Sequence, residues 1–201
     1  MLDRFRHIAV EGPIGAGKST LARKLAAHFG AELLLEKPEE NPFLARFYDD
    51  GSRYALQTQL FFLFQRVEQY RELAQPGMFT PRIVSDFMFA KDALFARLTL
   101  SDDEYRLYLQ IHQQVAPQLP PPDVVIWLRA EPPTLLQRIA RRGIGMEQGI
   151  DAGYLQRLSD AYGDYFERER GLLVLPLDTE DFHPAARERD FDDLLARLAA
   201  L

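Results

Sequence analysis

His7-Ile8-Ala9-Val10-Glu11-Gly12-Pro13-Ile14-Gly15-Ala16-Gly17-Lys18-Ser19-Thr20 decides the fold. Gly12 to Ser19 fits G-x-x-x-x-G-K-[ST] in full, behind an apolar strand pattern and ahead of the helical pattern Thr20 to Ala26. Glycines let successive backbone N–H groups turn inward around phosphate oxygens, and the following helix adds its positive N-terminus. Pro13, Ile14, Ala16 and Thr20 complete that cradle. Lys18 is expected to reach the β- and γ-phosphates, and the Ser19 hydroxyl to join a magnesium shell. The stretch implies a nucleoside triphosphate bound with Mg²⁺.

Working outward, 201 residues with 47% hydrophobic and 27% charged side chains imply one globular domain over 1–201 with a sizeable core. A net charge of -6 offers no pull toward nucleic acid or acidic lipid, so a small-molecule partner is expected. The absence of cysteine excludes disulfides and thiolate metal sites. The charged N-terminus and the shortness of every apolar run indicate no membrane association and a cytoplasmic protein.

Beyond the loop, strand-like and helix-like segments alternate, which predicts a five-stranded parallel sheet in a three-layer α/β/α fold. Ala31 to Glu36 reads as the second strand, with Glu36 at its C-terminal end, the ligand edge of such a sheet. Helical patterns follow from Pro42 to Tyr48 and from Tyr54 to Leu73, the second carrying Leu56, Leu60, Leu63, Phe64 and Val67 at core spacing before a stop at Pro76-Gly77. Arg82 to Asp86 is the third strand. Its terminal Asp86 is a candidate to hold magnesium beside Ser19 or, alternatively, to cap the next helix, Phe87 to Leu98.

Ser101-Asp102-Asp103-Glu104 predicts a capping box for a helix ending near Gln118. The connector Leu119-Pro120-Pro121-Pro122 is too short for a domain linker, and a core strand, Asp123 to Leu128, follows at once. Arg138, Arg141 and Arg142 crowd the end of the next helix. They serve either as a solvated face complementing the helix dipole or as a lid, about 138–150, that folds over a transferring phosphoryl group. A helix from Ala152 to Arg168, a fifth strand from Leu172 to Pro176, a loop at 178–181 near the nucleotide base and a closing helix through Phe191 and Leu198 complete the chain.

Taken together, Ile8 to Thr20, Glu36 with Asn41-Pro42-Phe43-Leu44, Gln59 to Arg66, and Glu147-Gln148-Gly149-Ile150 with Tyr154-Leu155 resemble the deoxynucleoside kinases over nearly the whole chain. The resemblance implies transfer of the γ-phosphate of ATP to the 5′-hydroxyl of a deoxynucleoside, in nucleotide salvage, by a homodimer built on helices. It implies that Glu36 is the general base, a role its strand-end place also suits. It assigns Gln59 to the nucleobase, Tyr48 and Glu147 to the sugar 3′-hydroxyl, and Arg138 and Arg142 to the lid. Arg66 and Asp92 match a pair near the base edge in members accepting purine nucleosides or deoxycytidine; the other reading of that pair is a surface salt bridge.

Two positions depart from the family pattern. Phe87 stands where an arginine usually follows the acid, and Ile144 where a further lid arginine is usual. Missing cations beside a developing negative charge slow phosphoryl transfer unless others substitute, and Lys37, Arg82, Lys91 and Arg141 are the candidates. The departures leave two rivals open: a kinase of a nucleoside monophosphate, as in the related thymidylate kinases, and a weakly catalytic nucleotide-dependent switch.

Overall fold

The central strand, β1 (His7–Glu11), shows how the layers arise. Successive strand side chains point to opposite faces. Ile8 and Val10 therefore join Leu21, Leu25, Leu194 and Leu198 in one apolar cluster, while Ala9 packs on the other face with Leu158, Tyr162 and Phe166. In this computed structural model, which describes residues 4–73, 82–116 and 121–201, β1 lies at the middle of a parallel sheet ordered β2-β3-β1-β4-β5. The other strands are β2 (Glu32–Leu34), β3 (Ile83–Ser85), β4 (Val124–Arg129) and β5 (Val174–Asp178). Helices α1 (Lys18–Phe29) and α8 (Glu188–Ala200) cover the first face, and α4 (Lys91–Thr99) and α7 (Ala152–Arg168) the second. The expected α/β/α architecture with its five-stranded parallel sheet is borne out.

A third apolar cluster forms outside the sheet, where α3 (Gly51–Leu73) and α5 (Asp102–Val115) meet α4 through Leu63, Val67, Ala96 and Tyr108. The short α2 (Leu44–Asp49) packs on α3, and α6 (Pro132–Arg142) leads through a 3-10 turn, Gly145–Gly149, into α7. The capping box at α5 is present: Ser101 Oγ accepts from Glu104 N at 3.4 Å, and Ser101 N donates to Glu104 Oε2 at 2.9 Å. The expected stop at Pro76-Gly77 and the Leu119-Pro120 part of the connector lie outside the described residues, while α5 ends at Val115, capped at Ala116, short of the expected Gln118.

Several boundaries move, for physical reasons that bear on the site. β2 ends at Leu34, not Glu36, because its pairing runs only from Glu32↔Ile83 to Leu34↔Ser85. Asp86 then takes over, its own N–H donating to Leu34 O at 3.1 Å and its Oδ1 accepting from Glu36 N at 2.8 Å. α4 starts at Lys91 rather than Phe87 because the intervening turn is held elsewhere. Met88 N donates to Glu11 Oε1 at 2.7 Å, and Ser85 Oγ donates to Phe87 O at 2.7 Å. The helix is capped at Ala90, so Asp86 is not its N-cap. β5 runs two residues past the expected Pro176 because Leu177 and Asp178 continue the ladder on Leu128 and Arg129. Phe64 is half exposed rather than core.

Candidate active site

Gly12 to Ser19 form the loop between β1 and α1, and two glycines there have no substitute. At Gly12 φ is +145° and a Cβ would meet the Leu128 carbonyl oxygen at 2.4 Å; at Gly15 φ is +85° and a Cβ would meet the Leu135 oxygen at 2.8 Å. Gly17, also left-handed, hands the chain to α1 without a side-chain cap, so the first N–H groups of the helix stay available to an anion. Lys18 lies back across the loop, Nζ 3.0 Å from Pro13 O. Its pKa falls to about 8, first through burial and then through the ammonium of Lys91.

Ser19 Oγ donates to Asp86 Oδ2 at 2.5 Å, so the hydroxyl and carboxylate expected to share a magnesium ion do face each other. Magnesium commonly takes one or two protein oxygens and leaves its other positions to phosphate and water, and this donor pair fits that habit. No cluster of three or more acidic, His or Cys side chains that could hold a metal occurs among the described residues.

The other oxygen of Asp86 fixes the backbone of Glu36, which puts that carboxylate at the mouth of a cavity beside the loop. Gln59, Arg66, Tyr48, Glu147, Lys91 and Arg142 line the same cavity, together with apolar Leu44, Phe47, Phe62 and Phe95. Lys91 Nζ lies 3.0 Å from Glu36 Oε2, and Arg66 bridges Glu36 to Asp92. Burial alone would raise the Glu36 pKa, but Lys91 and Arg66 hold it well below the carboxylate range. Arg66 is 3% and Asp92 0% exposed, so the surface-bridge reading of this pair is excluded. Burial lifts Asp92 to about 6 against the pull of Arg66. Arg66 Nε and Asp92 Oδ2 are buried without a hydrogen-bond partner among the described residues.

The arginines expected to form a lid divide. Arg142 reaches across the 3-10 turn to Glu147, Nη2 at 2.6 and 2.5 Å from its two oxygens. Tyr48, whose hydroxyl is pushed up by burial and by neighbouring Tyr154 and Glu147, lies on the same side. Arg138 turns away: it donates to Thr179 Oγ1 at 2.9 Å and to Thr179 O at 2.6 Å, on the wall of a separate cavity that runs from Gly17 and Thr20 to Phe182 and Ala186. Arg141 lines that second cavity too. Of the remaining substitutes for the missing cations, exposed Lys37 pairs with Glu40 at 3.3 Å and Arg82 donates to Phe5 O at 3.0 Å, so Lys91 is the candidate that reaches Glu36.

Glu11 is the residue that sequence reasoning passed over. It is fully buried, and its carboxylate accepts from Gly12 N at 3.2 Å, Met88 N at 2.7 Å and Tyr162 OH at 2.8 Å. It thus ties the loop, the turn before α4 and α7 together. A charged residue closing an apolar strand was the available signal, since buried charge persists only when paired or hydrogen-bonded.

A phosphate-binding loop, a facing hydroxyl-carboxylate pair and an adjoining cavity with a buried carboxylate define a P-loop phosphotransferase. Comparison with known proteins sharpens the class. A family model described as "Deoxynucleoside kinase" matches residues 8–201. Deoxyguanosine kinase of Bacillus subtilis is 34% identical over 199 residues, covering 96% of each chain. Deoxyadenosine kinase of Dictyostelium discoideum is 33% identical over 180 residues, covering 88% of this chain and 73% of its own. The structure of deoxyadenosine kinase from M. mycoides with bound dATP superposes with a TM-score of 0.83 at 24% identity, over 96% of this chain and 99% of that one. This chain belongs to the deoxynucleoside kinase family.

Proposed function

We propose that the chain is a single kinase domain, its lid at about 138–150, that transfers the γ-phosphate of Mg-ATP to the 5′-hydroxyl of a purine deoxynucleoside in salvage. The observation that carries this reading is the relay Ser19–Asp86–Glu36, which links the phosphate loop to the acceptor cavity through hydrogen bonds of 2.5 and 2.8 Å. In it, the loop amides and Lys18 hold the donor phosphates, and Glu36 takes the 5′-hydroxyl proton. Magnesium held by Ser19 and Asp86 would neutralise phosphate charge. Tyr48 and Glu147 hold the sugar 3′-hydroxyl. Gln59, Arg66 and Asp92 read the base; Arg66 Nε and Asp92 Oδ2, buried without a partner among the described residues, are polar groups that such a ligand would satisfy. Arg142 closes on the transferring group, while Arg138 serves the donor side.

Glu36, clamped by two cations, is a weak proton acceptor as it stands. It would strengthen as base binding to Arg66 and Asp92 loosens the hold of Arg66 on Glu36. The purine preference draws on the relatives, several of which are named deoxyguanosine or deoxyadenosine kinases. A monophosphate acceptor is disfavoured because the matching family model and the relatives are named for deoxynucleosides. No described helix is long and apolar enough to cross a membrane. We read the enzyme as cytoplasmic, where its ATP is, and as a homodimer; exposed Phe64 on α3 and Leu107 on α5 offer apolar surface for a second copy.

Transfer from γ-labelled ATP and Mg²⁺ to each of the four deoxynucleosides, with ribonucleosides and thymidylate alongside and Lys18→Ala as blank, tests this reading. Turnover on deoxyguanosine or deoxyadenosine is expected. Silence on all four with ATP binding intact overturns it.

A further inference from the structure

Two ammonium groups, those of Lys18 and Lys91, line the cavity that holds Glu36, and this has a chemical use. Lys91, the first residue of α4, is 3% exposed, and its side chain projects back over the turn that carries Asp86. Its Nζ lies 3.0 Å from Glu36 Oε2, and its charge also acts on Glu11 and Lys18. Like charges repel, and the position is tolerable where anions are at hand. Glu36, paired with Lys91, is one such anion; a phosphoryl group docked on Lys18 would be another.

Phe87, directly after Asp86, carries no charge to the site. It is fully buried, edge-on to Tyr70 at 5.8 Å and 5.6 Å beneath the Arg66 guanidinium. Lys91, four residues further on, is left to supply the cation between base and phosphate.

We propose that Lys91 positions the Glu36 carboxylate and supplies a positive charge beside the phosphoryl group in transfer. The proposal rests on the kinase reading above and adds to it a residue that acts mainly in the transition state. A cation that holds the base and meets growing negative charge changes kcat more than the acceptor KM.

The experiment compares wild type with Lys91→Met, Lys91→Gln and Lys91→Arg on the best deoxynucleoside, with ATP binding and melting temperature as checks. In the Met and Gln variants kcat should fall about 100-fold or more, with the acceptor KM changed much less. The Arg variant should recover most of the rate. If Met fails to fold, Gln decides. Wild-type kcat in the neutral variants, or an equal fall of kcat in all three, overturns the proposal while wild-type turnover leaves the kinase reading standing. Absence of wild-type turnover overturns both.

Discussion

Arg142 places one guanidinium nitrogen on both oxygens of Glu147, at 2.6 and 2.5 Å, so the end of α6 and the 3-10 turn after it are joined by an ion pair on the wall of the cavity beside the loop. In the proposed mechanism the 3′-hydroxyl competes for Glu147, and binding it frees Arg142 for the phosphoryl group. Glu147→Gln should raise the acceptor KM about 10-fold or more, the cost of weakening a hydrogen bond to a charged group. It should also erase most of the preference for a deoxynucleoside over its 2′,3′-dideoxy analogue. Undiminished preference, measured as a kcat/KM ratio, would remove Glu147 from the sugar site.

Arg138 and Arg142 leave the same helix end in different directions, and their variants should separate accordingly. With Arg138 bonded to Thr179 beside the cavity that opens from Gly17, Arg138→Ala should raise the KM for ATP and spare kcat. Arg142→Ala should lower kcat about 100-fold. Steady-state kinetics with ATP varied at saturating acceptor distinguishes them, and a matching loss of kcat in both would restore a shared lid role.

Gly12→Ala tests how tightly the loop is seated. A Cβ 2.4 Å from the Leu128 carbonyl oxygen, at φ +145°, demands that backbone shift. Strain of about 2 kcal/mol or more is expected, lowering Tm by about 4–8 °C for a chain of this size. An unchanged Tm would mean that β1 and β4 are more loosely coupled here than their contact indicates.

His7 gives a pH signature independent of catalysis. Burial pulls its pKa from 6.5 down to about 4 against the opposing charge of Asp123, and its Nε2 pairs with Ser85 Oγ at 2.9 Å. The folded state thus prefers the neutral ring. Its contribution to stability is intact above pH 6.5 and is lost as pH falls toward 4, by about 2–3 kcal/mol at most. Denaturant titrations at pH 7 and pH 4 should show wild type losing more stability than His7→Gln over that interval. Equal losses would contradict the assignment.

Much of this was legible in the sequence because it is local. The loop, the alternation of strand and helix, the Ser101 capping box and the Asp86 strand end each rest on neighbouring residues. Helix α3 was harder. Phe64 sits near core spacing yet is half exposed, while Thr58, Gln59, Arg66 and Gln69 are buried. A helix that lines a polar cavity breaks the apolar periodicity from which it would be recognised.

The long-range pairings were not legible either. That Glu11 accepts from Tyr162, 151 residues away, or that Arg66 bridges Glu36 and Asp92, depends on how the layers stack. The start of α4 at Lys91 follows from the hold of Glu11 on Met88 N, and it is that shift which brings Lys91, rather than Phe87, to the base.

The central claim is that Glu36 accepts the hydroxyl proton, and single-turnover transfer by Glu36→Gln with the preferred deoxynucleoside tests it most directly. The account predicts ATP affinity close to wild type and a transfer rate lower by about 10²–10⁴. A wild-type rate in that variant would contradict it.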